Sequence, residues 1–273
     1  MCEKNYKIIS GFKFLLDFPD ENIYYALNYK PKDGQKVIVS FPKSGTTWTQ
    51  QIVYLILNNG IPEKNNKQFV FDSFLEYTGK DSVIEPMVKT HLNYNLMPFN
   101  PNAKYLYVVR NPKDVSVSSY HHMKLMYNPE ENFHHYFQEF FNDEVNYGDY
   151  FEHLLSFVPH LNDPNITYLV YEKMKRNPRK AVLKIAGFLG EEFVAKVKDN
   201  NELVLNEVLK HSTVDYMKTD VSKKNEFIIR KGIVGDWRDH YSKDESDLID
   251  QRVKQLLKGT PFENLWDEDM KWH

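Results

Sequence analysis

The segment from Val37 to Gly60, VIVSFPKSGTTWTQQIVYLILNNG, constrains the fold more tightly than any other part of the chain. The β-branched run Val37-Ile38-Val39 spells a buried strand. It breaks at Pro42, passes through the small-residue turn Lys43-Ser44-Gly45-Thr46-Thr47, and resumes at helical spacing with Trp48, Ile52, Leu55 and Ile56 on one face. In a strand–turn–helix of this kind, unpaired N–H groups of the first helical turn point outward and the helix dipole favours negative charge there. The segment is therefore an anion cradle.

Three more apolar runs have strand length: Met87–His91, Ala103–Val109 and Asn165–Val170. Helical spacing appears over Asn22–Tyr29, Lys113–Tyr127, within 130–160, over 178–190 (entered through Pro178 and closed by Gly190), Phe193–Leu209 and Asp244–Leu257. Residues 61–87 read as a loop or short helix, and 211–236 as irregular. Strands alternating with helices predict an α/β fold, a largely parallel sheet with helices on both faces. No linker, repeat or low-complexity tract divides the chain, so residues 1–273 are read as one domain. Ligands of such sheets sit beyond the carboxyl ends of the strands. Here the strands run out into Lys43, Lys89–His91, Arg110 and Tyr171.

Composition excludes several partners. Thirty-five basic residues nearly balance 38 acidic ones, for a net charge of −3, so nothing in the total asks for nucleic acid. The single cysteine, Cys2, rules out a disulfide framework and a thiolate metal site. The N-terminus lacks the apolar core of a signal peptide, and the longest apolar run, Ile52–Leu57, is too short for a bilayer. A cytoplasmic, membrane-free protein is expected, with the sequon Asn165-Ile166-Thr167 idle. The pairs His121-His122 and His134-His135 invite a metal reading, but adjacent helical residues point about 100° apart. No cysteine or acidic cluster completes a ligand set in the sequence, so no metal is expected.

The turn Pro42-Lys43-Ser44-Gly45-Thr46-Thr47-Trp48 is not the usual nucleoside-triphosphate loop, which needs two glycines five apart before its lysine. It resembles the 5′-phosphosulfate loop of the cytosolic sulfotransferases. The resemblance recurs in order: Lys89-Thr90-His91, then Val109-Arg110-Asn111-Pro112-Lys113-Asp114-Val115-Ser116-Val117-Ser118, then Tyr168–Met174, then Arg230-Lys231-Gly232-Ile233-Val234-Gly235-Asp236-Trp237. It implies a single nucleotide-kinase-like domain with a five-stranded, mostly parallel sheet. It also implies 3′-phosphoadenosine 5′-phosphosulfate (PAPS) as donor, PAP as product, no metal, and a sulfuryl group delivered to a hydroxyl or amine of a small molecule.

Roles follow by position as what the resemblance implies. Lys43 would stabilise charge on the leaving phosphate. Ser44, Gly45, Thr46, Thr47 and Trp48 would wrap the 5′-phosphate, with Trp48 stacking on adenine. Arg110 and Ser118, joined by Arg230, Lys231 and Gly232, would grip the 3′-phosphate; a guanidinium holds phosphate oxygens in a fork. Ser118 would also hold Lys43 back until acceptor binds. Tyr171, Ser212, Thr213, Met217 and Ile229 would complete the nucleotide side. His91 would be the general base and Lys89 a cation on the transferring group. Phe18, Phe74, Tyr77, His91, His122, Tyr147 and Tyr150 would shape the acceptor pocket, although aromatic residues serve equally as core packing.

Departures from the pattern are Phe41 for Tyr, Ser212 and Val214 for Thr and Phe, and an altered dimer element at Arg238, Ser242-Lys243 and Asp247. The last predicts a monomer or weak homodimer. Two other functions fit the same motifs: a catalytically silent protein that binds PAPS or PAP, and a nucleotide kinase, which would need Mg²⁺. The pocket stretches 12–30, 71–82, 120–150 and 215–229 leave the acceptor open.

Overall fold

The computed structural model describes residues 5–62, 73–81, 87–220 and 228–272. Phe71 and the surrounding 63–72, together with 82–86 and 221–227, lie outside the described residues, so those parts of the pocket stretches are not located. Strands Tyr6–Ile9 (β1) and Phe12–Leu15 (β2) form an antiparallel hairpin. Lys36–Ser40 (β3), Met87–Thr90 (β4), Lys104–Val109 (β5) and Ile166–Val170 (β6) form a parallel sheet in the order β4-β3-β5-β6. The described residues thus hold four of the five expected strands. Outside β4, where a fifth would pair, Ser73 and Phe74 make one parallel bridge to Lys89, with the Lys89 N–H donating to the Ser73 carbonyl at 2.8 Å.

Side-chain alternation divides the core. Val37 and Val39 of β3 join Tyr105, Tyr107 and Val109 of β5 in one cluster, while Ile38 joins Leu106 and Val108 in the other. A strand whose successive residues all find apolar partners must be covered on both faces. On one side lie helices Pro112–Met126, Phe133–Phe141, Tyr150–Phe157 and Lys243–Leu256. Thr46–Leu57, Pro178–Leu189 and Leu203–His211 lie on the other. The chain leaves β3 for the β4 edge and returns to β5 on the other side of β3. A crevice therefore opens beyond the carboxyl ends of β3 and β5, where the strand order reverses.

The chain opens with the β1–β2 hairpin, turned through Ser10 and Gly11, both at positive φ (53° and 76°), as a twisted two-residue hairpin loop requires. Two local expectations are corrected. The helical spacing of Phe193–Leu209 is broken between Lys198 and Leu203, where Asn201 and Glu202 take positive φ. The stretch read as irregular from 211 includes a helix, Val214–Asp220. At the altered dimer element, Lys243 pairs with Asp247 one turn along the same helix.

Candidate active site

The cradle takes its shape from two backbone positions. Lys43 is held at φ 67° and Gly45 at φ 111°, so successive peptides of the turn curl around one point. A Cβ at Gly45 would stand 2.7 Å from Tyr171 Cδ2, so only glycine lets the turn lie against that ring. Helix Thr46–Leu57 starts with no side-chain cap, which leaves its first N–H groups open to the crevice. Inside the turn, Ser40 and Thr46 share a hydrogen bond between hydroxyls at 2.5 Å.

Positive charge converges on this turn. Arg110, directly after β5, donates to the Lys43 carbonyl at 3.2 Å and lies 4.4 Å from the centre of the Tyr171 ring. Lys43 Nζ is 3.5 Å from His122 Nδ1. Burial, then Arg110 and Arg230, lower the Lys43 ammonium to about 7. Arg230 and Lys231 arrive from a distant part of the chain, both paired to Asp236 at 2.5 and 2.6 Å. Their segment is pinned by Asp114, whose carboxylate accepts the Gly235 and Trp237 N–H groups at 2.7 and 3.1 Å. Asp114 is itself placed by the helix start: Asn111 caps Pro112–Met126 by accepting its N–H at 2.8 Å. Residues that line the same crevice carry buried hydrogen-bonding atoms without a protein partner: Arg110 Nε, and Arg230 Nε and Nη1. Since such groups are costly to leave unmet, their convergence with open helix N–H groups fits a polyanion.

The opposite end of the crevice is built on β4. His91 Nδ1 lies 2.8 Å from the Ser40 carbonyl. That contact requires the proton on Nδ1, so Nε2 is the acceptor. Burial, followed by Lys89, His153 and Lys43, lowers this imidazole to about 3 despite the Ser40 bond, and the ring is neutral. Lys89 donates to Gln50 Oε1 at 3.1 Å, and Gln50 donates to Ser73 Oγ at 2.8 Å. Glu76 accepts the His91 N–H at 2.7 Å and the Thr90 hydroxyl at 2.9 Å. Burial brings the Glu76 carboxyl up to about 7 and the Lys89 ammonium down to about 7, each opposed by the charge of the other.

One cavity of about 800 Å³ joins the two ends. Lys43, Gly45, Thr46, Thr47, Trp48, Arg110, Ser118, Tyr171, Met217, Ile229, Arg230, Lys231 and Gly232 line it, as do Phe18, Phe74, Tyr77, Lys89, His91, His122 and Tyr147. Four expected residues do not. Ser44 is buried behind the turn. Ser212 serves through its carbonyl, which accepts Trp48 Nε1–H at 2.9 Å, and the Thr213 hydroxyl donates to the Lys210 carbonyl. Tyr150 is core: its ring packs 5.3 Å from Phe41 and its hydroxyl donates to the Arg110 carbonyl, because helix Tyr150–Phe157 turns that face toward the sheet.

Sequence reasoning missed Gln50, Glu76, Asp114 and Asp236, which hold the lining residues without lining the cavity themselves. It also missed Asp17, the one carboxylate among the described lining residues, and Lys175, 5.2 Å from the Trp48 ring. His121 and His122 diverge as expected. His122 faces Lys43, whereas His121 meets His240, their Nε2 atoms 2.9 Å apart.

A family model described as a sulfotransferase domain matches residues 33–261. The chain is 30% identical to a rabbit (Oryctolagus cuniculus) amine sulfotransferase, covering 93% of this chain and 94% of the relative. It is 33% identical to dog (Canis lupus familiaris) sulfotransferase 1B1, covering 95% of both. Among solved structures it superposes on mouse sulfotransferase SULT7A1 complexed with PAP, with TM-score 0.79, 25% identity, and 97% of this chain and 98% of that one covered. It also superposes on a retinol dehydratase in complex with androsterone and PAP, with TM-score 0.72, 26% identity, and coverage of 94% and 91%. Motif order, fold and crevice agree with these likenesses: the chain belongs to the sulfotransferase family.

Proposed function

We propose that this protein transfers the sulfuryl group of PAPS, in line, to a hydroxyl or amine of a small molecule. The observation that carries the reading is the single cavity with an anion cradle and a guanidinium clamp at one end and a neutral His91 at the other. The Lys43–Trp48 turn would seat the 5′-phosphosulfate, and Arg110, Ser118 and Arg230–Gly232 the 3′-phosphate. Trp48, Tyr171, Met217 and Ile229 would enclose the adenine. Bound there, PAPS supplies an activated sulfuryl group on a phosphate leaving group.

The residues of the chain do the rest. Lys43 Nζ lies between the cradle and His122, positioned to neutralise charge on the leaving side. Lys89, fixed by Gln50, neutralises charge on the side of transfer. These two ammonium groups take the part that a metal plays in phosphoryl transfer, so the reaction needs no metal ion. His91 Nε2 accepts the acceptor's proton. In the free protein burial, and after it the surrounding cations, oppose an imidazolium; anionic charge in the cradle would offset the part of that opposition that the cations supply. Phe18, Phe74, Tyr77 and Tyr147 form apolar walls beside His91 suited to a small ring-bearing acceptor. We propose that the enzyme works in the cytoplasm as a monomer or weak homodimer. Among the described residues, no helix is long and apolar enough to cross a membrane.

The test is incubation of purified protein with PAPS and a panel of phenols, alcohols and amines, with calorimetry against PAP and against ATP–Mg²⁺. Sulfated product and PAP binding are expected. PAP binding without product from any acceptor would favour the silent binder, and ATP–Mg²⁺ binding in place of PAP would favour a kinase.

A further inference from the structure

The donor clamp borders a second constellation that the proposed reaction does not use. His121 on helix Pro112–Met126 is far in sequence from Asp236 and His240, which stand four residues apart, yet one ligand-capable atom from each of the three falls within 4.8 Å of the others. His240 Nδ1 lies 3.1 Å from the Asp236 carbonyl and donates its proton there, which turns the Nε2 lone pair toward His121. The two Nε2 atoms, 2.9 Å apart, then share the one remaining proton, held on His121.

We propose that His121, His240 and Asp236 form a binding site for a divalent transition metal of the zinc class, coupled to nucleotide binding. Two imidazole nitrogens on a tetrahedral zinc ion stand about 3.3 Å apart when each bond is about 2.0–2.1 Å, so the rings need to part by only a few tenths of an ångström. Metal entry replaces the shared hydrogen bond: His121 moves its proton to Nδ1, and both Nε2 lone pairs face the ion. The Asp236 carbonyl already fixes the His240 ring in the ligating tautomer. The Asp236 carboxylate uses two acceptor positions, for Arg230 and Lys231, of the roughly four that a carboxylate offers, so it reaches the metal without giving up its ion pairs. Two imidazoles, one carboxylate and a water complete a four-coordinate set.

The neighbourhood sets the sign of the coupling. In the free protein, Arg230 and Lys231 oppose a dication beside Asp236. A 3′-phosphate on those two cations would offset their charge, so metal and nucleotide should tighten each other equally, as linkage requires. This coupling rests on the donor seat proposed above; the metal site rests only on the three side chains.

Co²⁺ titration, followed by visible absorption with and without saturating PAP, tests both. One equivalent with tetrahedral absorption is expected, with affinity raised about tenfold by PAP. His121→Ala and His240→Ala should each weaken it at least about tenfold, while PAP binding measured in chelator stays near wild type and shows that the variants fold. His135→Ala, in the other metal-capable group (Glu131, His135 and Glu139), should change nothing. Absence of absorption in both conditions would overturn the site, as would absorption lost in His135→Ala but retained in His240→Ala. If PAP fails to bind in chelator, the donor reading fails, while the Co²⁺ titration of the free protein still decides the metal site.

Discussion

Replacing His91 with alanine separates a proton acceptor from a wall residue, provided that the acceptor's acidity is varied. A phenol of pKa about 10 is ionised to about one part in a thousand at pH 7. It must lose its proton during attack, and a positioned base contributes about 10²–10⁴-fold to such a step. A phenol of pKa about 7 is already half ionised and gains little. His91→Ala should therefore lower kcat/KM about 10³-fold for the weakly acidic phenol and less than about tenfold for the acidic one. The variant also leaves the Ser40 carbonyl unmet and opens a gap between Phe74 and Tyr147, whose rings lie 5.0 and 5.3 Å from the imidazole. The unmet carbonyl costs about 1–3 kcal/mol in stability, so a thermal melt accompanies the kinetics. PAP affinity should change less than about twofold, since a neutral ring adds no charge to the cradle. The assay is sulfuryl transfer from labelled PAPS to a graded series of substituted phenols. Equal loss across the series would refute the argument and reduce His91 to a pocket wall.

Gly45→Ala meets the Tyr171 ring at 2.7 Å from a φ of 111°, so PAP binding by calorimetry should weaken more than about tenfold. Lys43, at about 7 when free, is raised by bound phosphate. PAP affinity should therefore fall as pH rises above 7, with proton uptake on binding seen in buffers of different ionisation enthalpy; pH-independent binding between 7 and 9 would count against it. Asp114→Ala releases the Gly235 and Trp237 N–H groups and should cost about 2–3 kcal/mol by denaturant unfolding, at about 1 kcal/mol per hydrogen bond with a charged-acceptor increment. It should weaken PAP binding as Arg230 and Lys231 lose their support. Asp17→Asn should raise KM for ammonium-bearing phenols several-fold and leave neutral phenols of the same size unchanged, because Asp17 is the one carboxylate among the described lining residues.

The cradle was legible in the sequence because each of its properties is local. A β-branched run, a glycine that must take positive φ and an uncapped helix start are properties of neighbours, and Lys43, Gly45 and Thr46 stand where that local logic puts them. Strand ends were legible for the same reason: Lys89, Arg110 and Tyr171 follow apolar runs whose parallel pairing brings their ends to one edge. Tyr150 shows where this logic ends. Its aromatic spacing fits a pocket wall or a core equally, and the direction in which its helix faces the sheet settled it as core. Supports from afar were likewise invisible: Asp114 reaches Gly235, Gln50 reaches Lys89, and Glu76 reaches His91 only after the chain has closed. Those are contacts between residues whose separation in sequence carries no periodic signal. Sequence alone thus determined the parallel α/β frame, the cradle and the order of the motifs. Tertiary structure decided which polar groups are buried together, and with that the lowered Lys43 and His91 pKa values, since desolvation and field depend on everything within a few ångströms rather than on neighbours along the chain.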